Sequence, residues 1–231
     1  MAFDKYLPED INPFYVFADQ KFKNPDDVSV IFDIGSLHCL ESIEFAKKYK
    51  NATIFAFEAN PDSYQVCLEN TKDIDNIVVI NKAVNNYDGI CKFYAIDPEK
   101  TVSPLFDKNR GASSLYKSNG AYDHVEKYVQ NEIEVPCTRV DTFCKENEIS
   151  QIDLVWMDLQ GAELLALESM GEDLLSKVQV IHTELEMNPM YENQFLYSDV
   201  NSFLDRNKFR RVTGDTSHQF GTNFVYINQR K

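Results

Sequence analysis

Glycine is scarce in this sequence, eight residues in 231, and the eight form no glycine-rich loop. The dinucleotide fingerprint G-x-G-x-x-G is absent, and so is the GK[ST] of a phosphate loop, so a pyrophosphate-cradling site is disfavoured. No CxxC pair and no H-x-x-x-H occur. The five cysteines, Cys39, Cys67, Cys91, Cys137 and Cys144, are scattered and odd in number, which argues against a disulfide framework and against zinc. Free thiols in a reducing compartment are expected, and no metal. A G-x-S-x-G elbow is missing too. No apolar run approaches the roughly 18 residues needed to span a membrane. The N-terminal MAFDKYLPEDINPF carries acids and prolines where a signal peptide needs a basic and then an apolar stretch. A cytoplasmic protein without membrane contact is therefore expected. Basic charge is also short: 23 Lys and Arg stand against 37 Asp and Glu, a net charge of −14. The basic residues cluster only briefly, as Lys21/Lys23, Lys47/Lys48 and Arg210/Arg211. Phosphate backbones repel such a chain, so nucleic acid is not an expected partner.

What is present is a strand–helix alternation. Hydrophobic residues make up 43% of the chain, enough for a core. Residues 1–28 read as an N-terminal cap or arm with a short helix near 14–20. Residues 29–231 then form one domain. SVIFDI (29–34) is a buried strand, followed by a turn and a helix over 40–49. ATIFAFE (52–58) is a second strand. Asn60 and Pro61 mark a helix start, with Asn60 as N-cap and Pro61 at the first helical position. NIVVINKAV (76–84) is a third strand. GICKFYAID (89–97) and NEIEVPCTRV (131–140) are further strands, and Asp141 caps a short helix. Between them, 97–131 is a long, tyrosine-dotted stretch expected to form a mobile lid. DLVWMD (153–158) and KVQVIHTELE (177–186) are strands. The helix between them, 162–170, ends at Gly171 as C-cap. A helix over 195–207 follows, then two closing strands, 208–213 and 221–228. Their connection is too short for a crossover helix, so they pair as an antiparallel hairpin at the sheet edge. The fold class is α/β, a three-layer sandwich on a mostly parallel sheet.

Ligands of such sheets bind at the carboxyl ends of the strands. Asp33 and Gly35 end the first strand, where glycine permits a sharp turn and a close approach. A turn that holds no ligand is the competing reading. Glu58 ends the second strand, placed to take two ribose hydroxyls. With Asp33-x-Gly35 it suggests an adenosine-bearing ligand without a diphosphate. Asp158, in DLQGAE, ends a third strand and is suited to orient a cation, bind a metal or act as base; helix capping is the competing role. His182, Glu184 and Glu186 share one face of the next strand, near enough to its end to reach the same pocket, or to be a solvated strand end.

In order along the chain, FDIGS…S (32–42), FAFEANP (55–61), INKAV (80–84), RGASSL (110–115), DLVWMDLQGAE (153–163) and HTELEMNPMYENQ (182–194) resemble the FkbM family of S-adenosylmethionine-dependent methyltransferases. The resemblance implies the class I methyltransferase fold, with seven strands and a terminal antiparallel hairpin. It implies that Asp33, Gly35 and Ser36 line the methionine part of the cofactor, S-adenosyl-L-methionine. Glu58 takes the ribose hydroxyls, with Ala59, Asn81 and Ala83 near the adenine. Ser113 and Ser114 close over the cofactor, and Asp158 and Gln160 stand at the methyl-transfer mouth. Cys39 stands where the family's D-x-G-x-x-x-G has its second glycine. The implied activity is O-methylation of a hydroxyl on a sugar, a glycan or another small hydroxylated acceptor, with Asp158, His182 or Glu184 as the base. A degenerate member that binds a nucleoside or a partner without turnover is the alternative. An NAD-dependent oxidoreductase is opposed by the missing fingerprint and by the hairpin.

Overall fold

The computed structural model describes residues 11–218 and 220–230, so the first ten residues of the expected cap lie outside it. Helix α1 (Ile11–Lys21) buries Ile11, Phe14 and Ala18, an i, i+3, i+7 stripe. Then follow β1 (Val30–Ile34), α2 (Leu40–Lys48), β2 (Thr53–Phe57), α3 (Pro61–Thr71), β3 (Ile77–Ile80), β4 (Ala83–Val84) and β5 (Gly89–Ile96). The second half holds β6 (Gln130–Thr138), α4 (Val140–Glu146), β7 (Leu154–Met157), α5 (Glu163–Ser169), α6 (Gly171–Lys177) and β8 (Val180–Leu185). Helix α7 (Tyr197–Arg206), β9 (Phe209–Arg211) and β10 (Thr222–Asn228) close the chain.

The main sheet has seven strands in the order β3–β2–β1–β7–β8–β10–β9. The pairs from β3 to β8 are parallel, and β10 runs antiparallel to both β8 and β9. The terminal hairpin is therefore present, but its last strand inserts inside the sheet and leaves β9 at the edge. Both sheet faces are covered, as a parallel sheet requires. Phe14 of α1 and Phe45 of α2 pack on Ile31, Trp156 and Val180 of one face. Cys67 of α3 packs on the same side, against Cys39 and Ala56. The opposite face buries Phe32, Val155, Ile181 and Phe224 under Phe143, Leu167, Leu174 and Leu204 of α4 to α7.

Four local readings change. The third strand is two: after Ile80 the chain folds back, Lys82 N–H donating to Ile80 O at 3.0 Å, and residues 83–84 join a second sheet of order β4–β6–β5. The cause is Asn81, whose amide donates to the carbonyls of Glu58 and Ala59 at 2.9 and 3.3 Å instead of extending the strand. Arg139, not Asp141, is the N-cap of α4; the Asp141 carboxylate accepts both Nε and Nη2 of Arg139. Gly171, at φ +66°, follows the end of one helix as expected, but a further helix, α6, which the sequence reading does not contain, begins at it. The stretch 97–131 carries a one-turn 3-10 helix, Arg110–Ala112, and its Ser114 exchanges backbone hydrogen bonds with Tyr94 of β5 at 2.8 and 3.3 Å.

His182 belongs to this core. The register pairs it with Trp156, whose ring it stacks on at 3.4 Å and 4°. Phe14 meets its edge at 6.4 Å, and neither ring nitrogen has a hydrogen-bond partner. Burial holds its pKa down at about 3. In the unfolded chain a histidine titrates near the ordinary value of about 6.5, so below that pH the unfolded state binds the extra proton and native stability falls. Glu41, Glu58 and Glu163, raised by burial to about 7, act in the opposite sense, because they bind protons more tightly when folded. A difference between variants isolates the histidine. Because the three carboxylates together outweigh the histidine, wild-type stability rises from pH 7 to pH 5, and His182→Leu is expected to enlarge that rise by about 2 kcal/mol. Urea titrations at the two pH values measure this, and identical pH dependence in both proteins contradicts it.

Candidate active site

The carboxyl ends of β1, β2 and β7 converge because their turns are laced together by backbone. Gly35 and Ser36 N–H both donate to Phe57 O, at 2.9 and 3.0 Å, and Asp158 N–H donates to Ile34 O at 3.0 Å. Gly35, at φ +88°, is obligatory here: a Cβ on it would lie 2.0 Å from the carbonyl oxygen of Asp158. Above these turns lies an open cleft. Its floor is Gly35, Leu37, Glu58, Ala59, Lys82 and Ala83, and Asp158, Leu159 and Ala162 form one end. Phe93 of the second sheet and Arg110, Gly111, Ser113 and Leu115 of the long segment form the roof.

Glu58 is held rigidly. Its Oε2 accepts Leu37 N–H at 2.8 Å and its Oε1 accepts Asn60 N–H at 2.7 Å. Burial pushes its carboxyl up to about 7 against these stabilising bonds. Each oxygen keeps a second lone pair for a ligand hydroxyl. At the other end Asp158 is half-buried, and burial raises its pKa. Its Oδ1 accepts the Gln160 amide at 2.7 Å, and the same nitrogen lies 3.3 Å from Glu184 Oε2. The turn itself is held by Glu163, 1% exposed, whose Oε1 accepts Leu159 and Gly161 N–H at 2.9 and 3.3 Å.

Gly35, Glu58, Ala59, Ala83, Ser113 and Asp158 of the sequence-derived set line the cleft. Gln160 and Glu184 are joined to Asp158 by the bonds just described. Other members of that set are placed elsewhere. Asp33 faces α2, where its Oδ2 accepts Ser42 Oγ at 2.5 Å while its Oδ1 is buried without a partner. Burial drives its pKa well up. Ser36 Oγ turns inward to Phe57 O at 3.3 Å. Asn81 holds the Glu58–Ala59 backbone, and Ser114 Oγ donates to Gln160 O at 2.8 Å. His182 does not reach the mouth: it sits two residues before Asp158's level on the neighbouring strand, about 7 Å deeper at the usual rise. Cys39 is fully buried and packs beneath the turn against Ala56 and Cys67, so its thiol is not in the cleft. Its φ of +60° is the left-handed conformation that glycine adopts more cheaply.

Sequence reasoning gave no role to Phe93, which lies on a strand without a motif, nor to Lys82, Arg110 and Leu115, although INKAV and RGASSL contain them. It also missed the turn-holding role of Glu163. Among the described residues no group of three or more His, Cys, Asp or Glu side chains is arranged to hold a metal ion. None of their helices is long and apolar enough to cross a membrane.

The cleft suits an adenosine-bearing cation. Its lining combines the apolar side chains of Ala59, Ala83, Phe93 and Leu115 with two carboxylates, Glu58 and Asp158, and two cations, Lys82 and Arg110. Comparison with known proteins agrees. A family model described as a methyltransferase FkbM domain matches residues 35–211. Over 172 residues the chain is 28% identical to the 2-O-methyltransferase NoeI of Sinorhizobium fredii, across 74% of this chain and 68% of that protein. Among solved structures, an rRNA methylase from Streptococcus thermophilus superposes with a TM-score of 0.52 at 11% identity, covering 97% of this chain and 99% of that one. Magnesium protoporphyrin IX methyltransferase from Synechocystis, solved with bound S-adenosylmethionine, gives 0.50 at 9% identity over 95% and 78%. At such identities the likeness is one of fold, the class I methyltransferase fold.

Replacing Glu58 with alanine is expected to weaken S-adenosylmethionine binding more than tenfold, the loss of about two charge-assisted hydrogen bonds. Titration calorimetry measures it, and an unchanged affinity removes Glu58 from ribose recognition.

Proposed function

The chain belongs to the FkbM methyltransferase family, and from that premise we propose that it methylates a hydroxyl of a sugar or of another small hydroxylated acceptor. One observation carries this reading beyond the family: Asp158 closes the end of the cleft with Gln160 and Glu184 beside it, a cluster rich in hydrogen-bond acceptors. Carboxylates accept from hydroxyl groups, and one of them serves as base. The likeness to a 2-O-methyltransferase points the same way.

S-adenosylmethionine, when bound, supplies an activated methyl group. The chain's own residues supply the rest. Glu58, fixed by two backbone N–H groups, orients the ribose end. The roof residues Arg110 to Leu115 exclude water, and the long segment around them acts as the lid through which the cofactor enters. Asp158 receives the acceptor's proton, a contribution of about 10²–10⁴-fold for a positioned base. Glu184 shares the Gln160 amide with it and lines the acceptor side. His182 has no part in this step, because it is stacked in the core with a pKa near 3.

Nucleic acid is set aside on charge, a net −14 with acids gathered at the mouth. The fold gives no ground for excluding it, since an rRNA methylase shares that fold. Incubation with methyl-labelled S-adenosylmethionine and a panel of glycans, small hydroxylated compounds, RNA and proteins tests the proposal. Label is expected in the glycans or small hydroxylated compounds and is expected to fall at least a hundredfold with Asp158→Asn. Label confined to RNA or protein overturns the acceptor class.

A further inference from the structure

Gln160 stands where four segments meet. Its backbone is left-handed, at φ +52°, which aims its side chain across the mouth. The amide nitrogen donates to Asp158 Oδ1 and lies beside Glu184 Oε2. The amide oxygen accepts the Tyr191 hydroxyl at 2.8 Å. Tyr191 is 1% exposed, and its hydroxyl also lies 3.1 Å from Ala112 O, in the roof. An amide has one donating and one accepting end. A hydroxyl donating to the oxygen obliges the NH2 end to face the carboxylates. In the reverse orientation the amide oxygen confronts two acids at hydrogen-bond distance.

We propose that Tyr191 and Gln160 form a positioning relay that couples the seating of the roof over the cleft to the orientation of the Asp158 carboxylate. The inference rests on the reading of the cleft as an S-adenosylmethionine site. Neither residue need touch the reacting atoms: Tyr191 acts through Gln160, and Gln160 acts through Asp158. The titratable groups that bear on Asp158 are Glu41 of α2, Glu163 of α5, Glu184 of β8, Glu186 just after it, and Tyr191 itself. All are acids or phenols. Against their influence and against burial, the Gln160 side-chain amide, ahead of the Gln160 backbone N–H, is the donor that favours the ionised carboxylate. Loss of that donor leaves Asp158 protonated to higher pH. The consequence differs between two ligands of nearly equal shape. S-adenosylmethionine carries a sulfonium charge, which an ionised carboxylate favours, and S-adenosylhomocysteine does not.

The test compares calorimetric affinities for both ligands from pH 5.5 to 8.5 in the wild type, Tyr191→Phe, Gln160→Leu and the double variant, with thermal unfolding as the folding control. Tyr191→Phe is expected to weaken S-adenosylmethionine about fivefold at pH 7, the worth of one buried hydrogen bond. It is expected to move the acid limb of that binding up by about half to one pH unit, while S-adenosylhomocysteine changes less than about twofold. Gln160→Leu is expected to do the same or more, and the double variant no more than Gln160→Leu, because the tyrosine works through the amide. Equal losses for both ligands, an unmoved limb, or additive effects overturn the relay and leave the cofactor site standing. Failure of the wild type to bind S-adenosylmethionine overturns the cofactor reading and the relay together. Where Tyr191→Phe does not fold, the limb in Gln160→Leu decides.

Discussion

A single backbone approach organises the functional edge of this protein. The β1 turn passes so close to the β7 turn that residue 35 has no room for a Cβ, with the Asp158 carbonyl in its place. Because the turns touch, the ends of β1, β2 and β7 close into one rigid ledge, stitched by N–H groups of Gly35, Ser36 and Asp158. The two carboxylates that matter, Glu58 and Asp158, stand at opposite ends of that ledge. Their separation is set by the sheet and not by any flexible loop, so a ligand is measured against a fixed frame.

That frame carries an electrostatic cost. Asp33, Glu58, Asp158, Glu163 and Glu186 are all raised by burial, and Glu41 with them. The cost is offset locally by backbone donors. Glu58 holds two N–H groups and Glu163 holds two, so the same bonds that make these acids tolerable also fix the turns. The chain's net charge of −14 favours a cationic ligand over a phosphorylated one. That preference agrees with an adenosyl sulfonium cofactor and with the missing pyrophosphate fingerprint.

Much of the architecture was legible from the residues. The strand ends at Asp33, Glu58 and Asp158 show because an apolar run stops at an acid, and the start of α3 shows because Asn60-Pro61 is a capping pair whose amide does accept Asp62 N–H at 3.0 Å. The hairpin followed from a connection too short for a crossover. The errors were of two kinds. Asn81 redirects the chain through one tertiary feature inside an otherwise regular pattern. His182 shares the parity of Glu184, but parity says nothing of depth, and the register with Trp156 places it in the core.

The sequence by itself determined the layers, the parallel sheet, its antiparallel end and the acids at the strand ends, because hydrophobic periodicity and turn chemistry are local properties. It also carried the family likeness. Tertiary structure alone decided which of the candidate residues meet. Cys39 turned under the ledge, since a left-handed residue points its side chain where the neighbouring helix, here Cys67, packs. Phe93 reaches the cleft from the second sheet, and Leu115 and Arg110 from the long segment whose Ser114 pairs with Tyr94 of that sheet. Gln160 became a junction because Asp158, Glu184, Ser114 and Tyr191 converge on it from as far as 46 residues away in the chain. Contacts between such distant segments depend on register and crossing, which no local pattern encodes.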